Sequence, residues 1–508
     1  MPQYLSPGVY VEEKDAGPRP IEGVGTAVAA FIGLAEKGEF NTPKLITNWT
    51  QFTASFGEFV EDAYLAHAVY GFFNNGGGRC YVIRVGADAT APAASVQLPS
   101  AVQAELGAYI VAAVELGPAG NDISVEVADA TEGTTEDSFK LTVTSGPVTE
   151  PFDNLTMKAG DRNAVAVVNR GSTLVKLEEV AGTTVARRRP SSGSYSLSGG
   201  TSAAPARIDA EDYVGDSSKR TGLEGFQAVD DVTMVCVPDI MAAYQKELID
   251  LEGVQAIQQA VIDHCDRMHD RMAILDPPPD LDPQQIREWK VEKANYDSAF
   301  AALYYPWIEV YDPKTRQNIH VPPCGHMAGI WSRSDETRGV HKAPANEIVR
   351  GALGLATQVT RGEHDSLNPD GINVTRSFPG RGIRVWGART LASDETWRYL
   401  NVRRLFNFVE ESILEGTQWV VFEPNDRDLW ERIRRTITAF LLRLWRDGAL
   451  FGATPEQAFY VKCDEETNPP EEVEAGQVTV EVGIAPVRPA EFVVFHIRQL
   501  SGGGQVAE

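Results

Sequence analysis

Five groupings of residues are of types that could do chemistry. Between Asp426 and Gly448, at 100° per residue, Arg432, Arg435, Arg443 and Arg446 fall on one helix face with Ala439 between them. The bland reading is a solvated face, but this stripe carries one sign along the helix. His264 with Cys265 and His269, and His320 with Cys324 and His326, are of metal-ligating types. The first pair of histidines is five apart on a predicted helix and diverges. His320 and Cys324 straddle Pro322 and Pro323 in a predicted loop. Gly76-Gly77-Gly78 is glycine-rich, but it follows a predicted helix, precedes a strand, and no Gly-Lys-Ser/Thr occurs in the chain. Arg187-Arg188-Arg189 reads as a solvated loop. Gly-x-Ser-x-Gly, His-Glu-x-x-His and Cys-x-x-Cys are all missing from the sequence. No catalytic residue, cofactor or metal is therefore expected.

Bulk composition narrows the classes further. At 508 residues the chain is too long for one core, so several domains are expected. A formal charge of -25 and a pI near 4.8 argue against general nucleic-acid binding, which needs a basic footprint. On so acidic a chain, a one-signed arginine stripe stands out. Cys80, Cys236, Cys265, Cys324 and Cys463 are scattered, as expected for reduced thiols in a cytoplasmic compartment. Met1 is followed by polar, proline-containing sequence, so no signal peptide is expected. No apolar run approaches the roughly 18 residues that span a bilayer, so no membrane insertion is expected.

The elements that must position these residues follow in chain order. Residues 1–20 carry a strand-like alternation at Val9, Tyr10 and Val11 before a Pro/Gly-rich stretch. Either the terminus frays, or it is an arm that adds a strand to another subunit's sheet. Twenty extended residues reach roughly 65 Å at about 3.3 Å each. A strand at Thr26–Leu34, a helix at Ala63–Asn74 and a strand at Cys80–Val85 make a β-α-β unit, hence a parallel sheet. From 87 to 222 Ala, Thr, Ser, Gly and Val dominate, with alternating runs at Ile123–Val127, Phe139–Thr144 and Val165–Val168. These predict an inserted β-rich domain.

The β/α pattern resumes at Val232–Val237. A helical region to His269, a strand at Arg271–Asp276, a helix near Gln284–Ala302 and a strand at Leu303–Val310 follow. Over Asn368–Glu423 two short apolar strands are expected to flank an amphipathic helix, the second strand at Gln418–Glu423. Val402, Leu405, Phe406, Val409 and Ile413 form its buried stripe, with Arg403, Asn407, Glu410 and Glu411 off it. Asn425 is placed to cap the next helix, whose apolar stripe is Trp430, Ile433, Ile437, Phe440, Leu441 and Leu444. A strand at Phe459–Cys463, an alternating run through Val478, Val480, Val482 and Ile484, and an apolar strand Phe492–Arg498 end the pattern.

The fold class is therefore α/β and α+β multidomain. It has a split β/α core domain (21–86 and 223–367), an inserted β-rich outer domain (87–222) and a C-terminal α+β domain (368–500). Extended terminal arms and a flexible tail (501–508) complete it.

Several segments carry a specific resemblance: Tyr4-Leu5-Ser6-Pro7-Gly8-Val9-Tyr10-Val11-Glu12-Glu13, Asn75–Val85, Val321-Pro322-Pro323-Cys324-Gly325-His326-Met327-Ala328-Gly329, His341-Lys342-Ala343-Pro344-Ala345-Asn346, and Asn368–Glu423. Together they resemble the tail sheath protein family of contractile phage tails and contractile injection systems. The resemblance implies a structural subunit that polymerises helically around an inner tube and contracts to drive the tube through a target envelope. It implies partners in the chain itself, an inner tube protein, and baseplate and terminal cap proteins, with no nucleic-acid contact. It implies assembly in the cytoplasm as part of a phage tail or tail-like particle. Tube contact would fall to Arg432, Arg435, Arg443 and Arg446. Inter-subunit strand linkage would fall to Val9, Tyr10, Val11, Val480, Val482, Phe492, Val494 and Ile497. An α/β enzyme with an accessory β domain and a static shell protein are the alternatives. An enzyme would keep its activity without residues 1–20; a sheath subunit would fold but not polymerise.

Overall fold

The computed structural model describes residues 20–86, 93–103, 106–131, 138–180, 189–200 and 209–495. It divides into two compact units, residues 86–208 and the remainder.

The larger unit begins with β1 (Val28–Gly33), β2 (Lys44–Ile46), α1 (Trp49–Phe56), α2 (Leu65–Asn74) and β3 (Arg79–Arg84). The smaller unit intervenes with β4 (Ser95–Pro99), β5 (Gly107–Ala113), β6 (Ile123–Asp129), β7 (Ser138–Ser145), β8 (Val148–Thr156), α3 (Ala164–Gly171), β9 (Val175–Glu179) and β10 (Gly193–Ser196). Its strands form two antiparallel sheets, ordered β4-β5-β9 and β10-β6-β7-β8. Tyr109, Phe139, Leu141, Val143 and Leu155 are buried in its core. The run Val165–Val168, expected as a strand, is helical in α3. Asn163 caps that helix by accepting from the Ala166 amide, and Ala164 and Val168, four apart, face the core.

Chain order then returns to the larger unit: α4 (Ala210–Val214), β11 (Met234–Cys236), α5 (Ile240–Gln245), α6 (Leu251–Met268), β12 (Met272–Leu275), α7 (Pro283–Glu288) and β13 (Ala301–Tyr305). Composition groups residues 209–222 with the insertion. In the structure the Tyr213 hydroxyl, buried, donates to the Asp239 carbonyl, within the larger unit. The helix expected at Gln284–Ala302 is shorter: α7 passes into a wider turn over Trp289–Ala294 and stops at Asn295, which is left-handed. The strand expected at Leu303–Val310 is two strands, β13 and β14 (Ile308–Asp312). β14 pairs with β15 (Gln317–Val321) and β16 (Gly354–Leu355) in a separate small sheet. Between them lies α8 (Cys324–Arg338), followed by α9 (Arg361–Leu367), β17 (Ile372–Phe378) and β18 (Gly382–Val385).

The main sheet has the order β18-β17-β13-β12-β11-β1-β3-β2. Its inner strands are parallel, with β2 and β18 antiparallel at the two edges. β1, β11, β12 and β13 are buried along their whole length, which is why they read as continuous apolar runs rather than alternations. α2 and α8 cross on this sheet at Gly325, where a side-chain carbon would lie 2.3 Å from the Ala68 carbonyl oxygen.

The rest of the larger unit is α10 (Leu400–Gly416), α11 (Arg427–Arg446), α12 (Pro455–Ala458), β19 (Phe459–Lys462), α13 (Pro470–Glu474) and β20 (Glu481–Ile484). Leu405, Val409, Ile433, Ile437, Phe440 and Leu441 share one core with Ile21 and Val340. Two expectations fail here. Both short strands, β17 and β18, precede α10, while Gln418–Val420 is a single tight turn and Phe422 is fully exposed. A strand there would need a ladder partner, and Phe422 sits at φ 71°, outside extended backbone. Nor is α10 buried along one stripe only. Arg403, Arg404 and Asn407 are buried as well. Arg403 lies 4.4 Å over the Trp397 ring and 4.7 Å over Phe300, donating to Asn407 and Glu410. Arg404 is paired with buried Asp335.

Candidate assembly surface

α11 is set by its own sequence. The Asp426 carboxylate, rather than Asn425, caps it by accepting from the Leu429 amide at 2.9 Å; Asn425 instead accepts from the Trp430 indole. Trp430, Ile433, Ile437, Phe440, Leu441 and Leu444 are all buried, which turns the arginines outward. The four arginines are not equivalent. Arg432 lies 3.4 Å from the Glu423 carboxylate and 4.6 Å over the Trp419 ring. Arg443 donates to the Ile21 carbonyl at 2.7 Å, fastening the segment that precedes β1. Arg435 and Arg446 are exposed and, among the described residues, make no ion pair.

The C-terminal strand residues fall into two groups. β19 and β20 form a two-stranded antiparallel sheet in which Val461 faces Val482. Val480 and Val482 are partly buried against the α11 core of their own chain. Among the described residues neither outer edge of this sheet carries another strand. Phe492 and Val494 behave differently. Phe492, Val493, Val494 and Phe495 are 74%, 67%, 73% and 81% exposed, and no ladder takes them up. Val9, Tyr10, Val11 and Ile497 lie outside the described residues, as do Arg187 and Arg188; Arg189 is paired with Asp129.

An anchor that the sequence did not reveal stands immediately before the exposed segment. Glu491 accepts two hydrogen bonds from Arg389, at 2.9 and 2.6 Å, one from Asn368 at 2.8 Å and one from the Tyr399 hydroxyl at 3.3 Å. Burial opposes its charge, but the bonds from Arg389 and Asn368 prevail and hold its pKa below the ordinary carboxylate value. The partners lie some hundred residues upstream, so no local pattern could have signalled the pair.

Among the described residues neither His/Cys grouping is brought together as a metal site. His264 is buried on α6 near Glu224, His269 ends that helix against Phe300, His320 is exposed on β15, and His326 is buried in α8. Among the described residues no cluster of His, Cys, Asp and Glu is arranged to hold a metal. Burial lowers the His326 and His264 pKa values to about 4 and about 3. The glycine run after α2 is a packing device: a side chain on Gly77 would meet the Phe72 ring at 2.3 Å. Among the described residues no helix is long and apolar enough to cross a membrane.

Family models described as "Phage tail sheath protein central domain" and "Phage tail sheath C-terminal domain" match residues 207–391 and 392–499. The chain is 24% identical to the tail sheath protein of Burkholderia phage BcepMu over 509 residues, covering 96% of this chain and 95% of that protein. It is 25% identical over 222 residues to the tail sheath protein of Vibrio phage KVP40, where the match covers 43% of this chain and only 32% of that longer protein. Among solved structures, the anti-feeding prophage helical sheath in its contracted state matches with a TM-score of 0.60 and 25% identity, covering 97% of this chain and 99% of that one. With the two family models together matching more than half of its residues, the chain belongs to the phage tail sheath protein family.

Proposed function

We propose that this chain is the structural subunit of a contractile sheath, polymerising helically around an inner tube and contracting to drive that tube through a target envelope. The observation that carries this reading is the apolar segment Phe492–Phe495, exposed directly after the Glu491 anchor. Proteins seldom leave such an apolar segment uncovered unless a partner covers it. In this reading residues 1–20 and the C-terminal strand of neighbouring copies complete the β19–β20 sheet, with Val9, Tyr10, Val11, Phe492, Val494 and Ile497 in the shared ladder and Val480 and Val482 on the receiving side. Each backbone bond nets only roughly 0.5–1.5 kcal/mol, so several together can hold a linkage while subunits rotate about it.

In this reading the core domain is 21–85 with 209–367, the inserted outer domain 86–208 and the C-terminal domain 368–500. The tube-facing surface is α11, where Arg435 and Arg446 contact an acidic tube and Arg432 and Arg443 divide their charge with intrachain partners. Exposed ion pairs contribute about 0–1 kcal/mol each, a strength suited to a surface that must release its tube. The further partners are baseplate and terminal cap proteins, and assembly takes place in the cytoplasm. No catalytic chemistry is proposed.

Electron microscopy of the purified chain, alone and with its tube protein, tests the reading. Hollow ridged cylinders are the expected product; discrete small particles in both conditions would overturn it. With Arg435→Glu and Arg446→Glu together, cylinders should still form but no longer enclose tubes. Normal sheathing by that variant would remove the stripe from the tube interface.

A further inference from the structure

A cavity of about 920 Å³ opens between the segment after β18, α9 and the chain around Glu491. It is large for a binding site, near the top of the usual range of about 300–1,000 Å³. Its wall is basic, on a chain of net charge -25. Arg338, Arg361, Arg376 and Arg488 line it, and among the described residues none of them has a carboxylate within ion-pair distance. Lys342 and Arg389 also line it but are already matched, to Glu347 and Glu491. One further carboxylate, Asp365, stands on the wall.

Two polar atoms beside this space are buried without a hydrogen-bond partner: His364 Nε2, on a side chain 9% exposed, and Arg376 Nε. Buried polar atoms are nearly always satisfied, so two orphans in one basic cavity point to a missing partner, and Arg376 Nε, which can only donate, calls for an acceptor. Burial, then the Arg376 charge, lowers the His364 pKa, outweighing Asp365 and Glu491, which raise it.

Guanidiniums aimed into a shared space select planar oxyanions, above all carboxylates. The chain itself supplies a matching ligand. Asp464, Glu465, Glu466, Glu471, Glu472 and Glu474 lie within eleven residues, from the end of β19 through α13. Glu471 and Glu474 are exposed and, among the described residues, have no cationic partner. Two unlike surfaces on one chain give a head-to-tail contact, which builds an open helical polymer rather than a closed dimer.

We propose that the cavity is the socket for the acidic segment 464–474 of a neighbouring copy. This rests on the sheath reading and adds a second, charge-based contact to the strand linkage. The socket abuts the departing C-terminal segment, since Phe492 and Val493 form part of its wall. The two contacts would therefore be made side by side.

Charge exchange tests it. One variant carries Arg361→Glu with Arg488→Glu; the other carries Glu471→Lys with Glu474→Lys. All four positions are exposed, so both variants should melt with the wild type. Each alone should reduce cylinder formation with tube protein by about tenfold or more, since like charges would then face each other across the contact. Mixing the two, or combining all four changes in one chain, should restore cylinders. Wild-type yield from either single variant, or no restoration on mixing, overturns the proposed contact. Absence of cylinders from the wild type itself would instead remove the sheath reading.

Discussion

Glu491 fastens the C-terminal segment to the body of the subunit, and its partner Arg389 is buried. Removing the carboxylate strands that guanidinium. Glu491→Ala is therefore expected to cost about 3 kcal/mol in urea unfolding, with Glu491→Gln costing less. Two other buried groups set opposite limits on pH. Burial pushes Asp276 up to about 7, against hydrogen bonds from Cys324. Its protonated form suits the fold, so its contribution is complete below the ordinary carboxylate value and is lost as pH rises through 7. His326 is lowered to about 4 by burial and by neighbouring His67. Its contribution is complete above the ordinary histidine value and is lost as pH falls through 4. Melting temperature against pH should accordingly flatten on the alkaline side in Asp276→Asn and on the acid side in His326→Gln. None of these roles was legible from residue type. Each depends on burial by elements far away in the chain.

Elements were legible where a period persisted. α11 shows six apolar residues at helical spacing and four arginines on the far face, and the structure buries the former and exposes the helix's other side. The inner strands of the sheet were found because residues buried on both faces leave no polar interruption. Short apolar runs were ambiguous: Val165–Val168 belongs to a helix and Val420–Phe422 to a turn, since a few residues cannot separate the two periods. The α2–α8 crossing was hidden for another reason, since glycine gives no periodic signal. A side-chain carbon at Gly329 would sit 2.4 Å from the Phe72 carbonyl oxygen. Gly329→Ala should therefore destabilise by about 1–3 kcal/mol, outweighing a helix-propensity gain of roughly 1 kcal/mol. Chemical denaturation against Gly362→Ala, where a side chain meets open space, provides the control.

For the whole molecule, the proposed strand linkage predicts that folding and assembly separate at one point in the chain. Truncation after Glu491 keeps the anchor and removes Phe492–Phe495, which contribute no ladder to the subunit. Stability should change by no more than about 0.5 kcal/mol, while cylinders disappear; cylinders formed at wild-type yield would show that the segment is dispensable. The interior bears on how such motion could be followed. All five cysteines are buried, and burial raises the thiols of Cys80, Cys265, Cys324 and Cys463. The native subunit is thus expected to be silent toward thiol-directed dyes. One cysteine placed at Val494 would take a fluorophore alone, and under the proposed linkage its emission would report the passage of that segment from water to a neighbour.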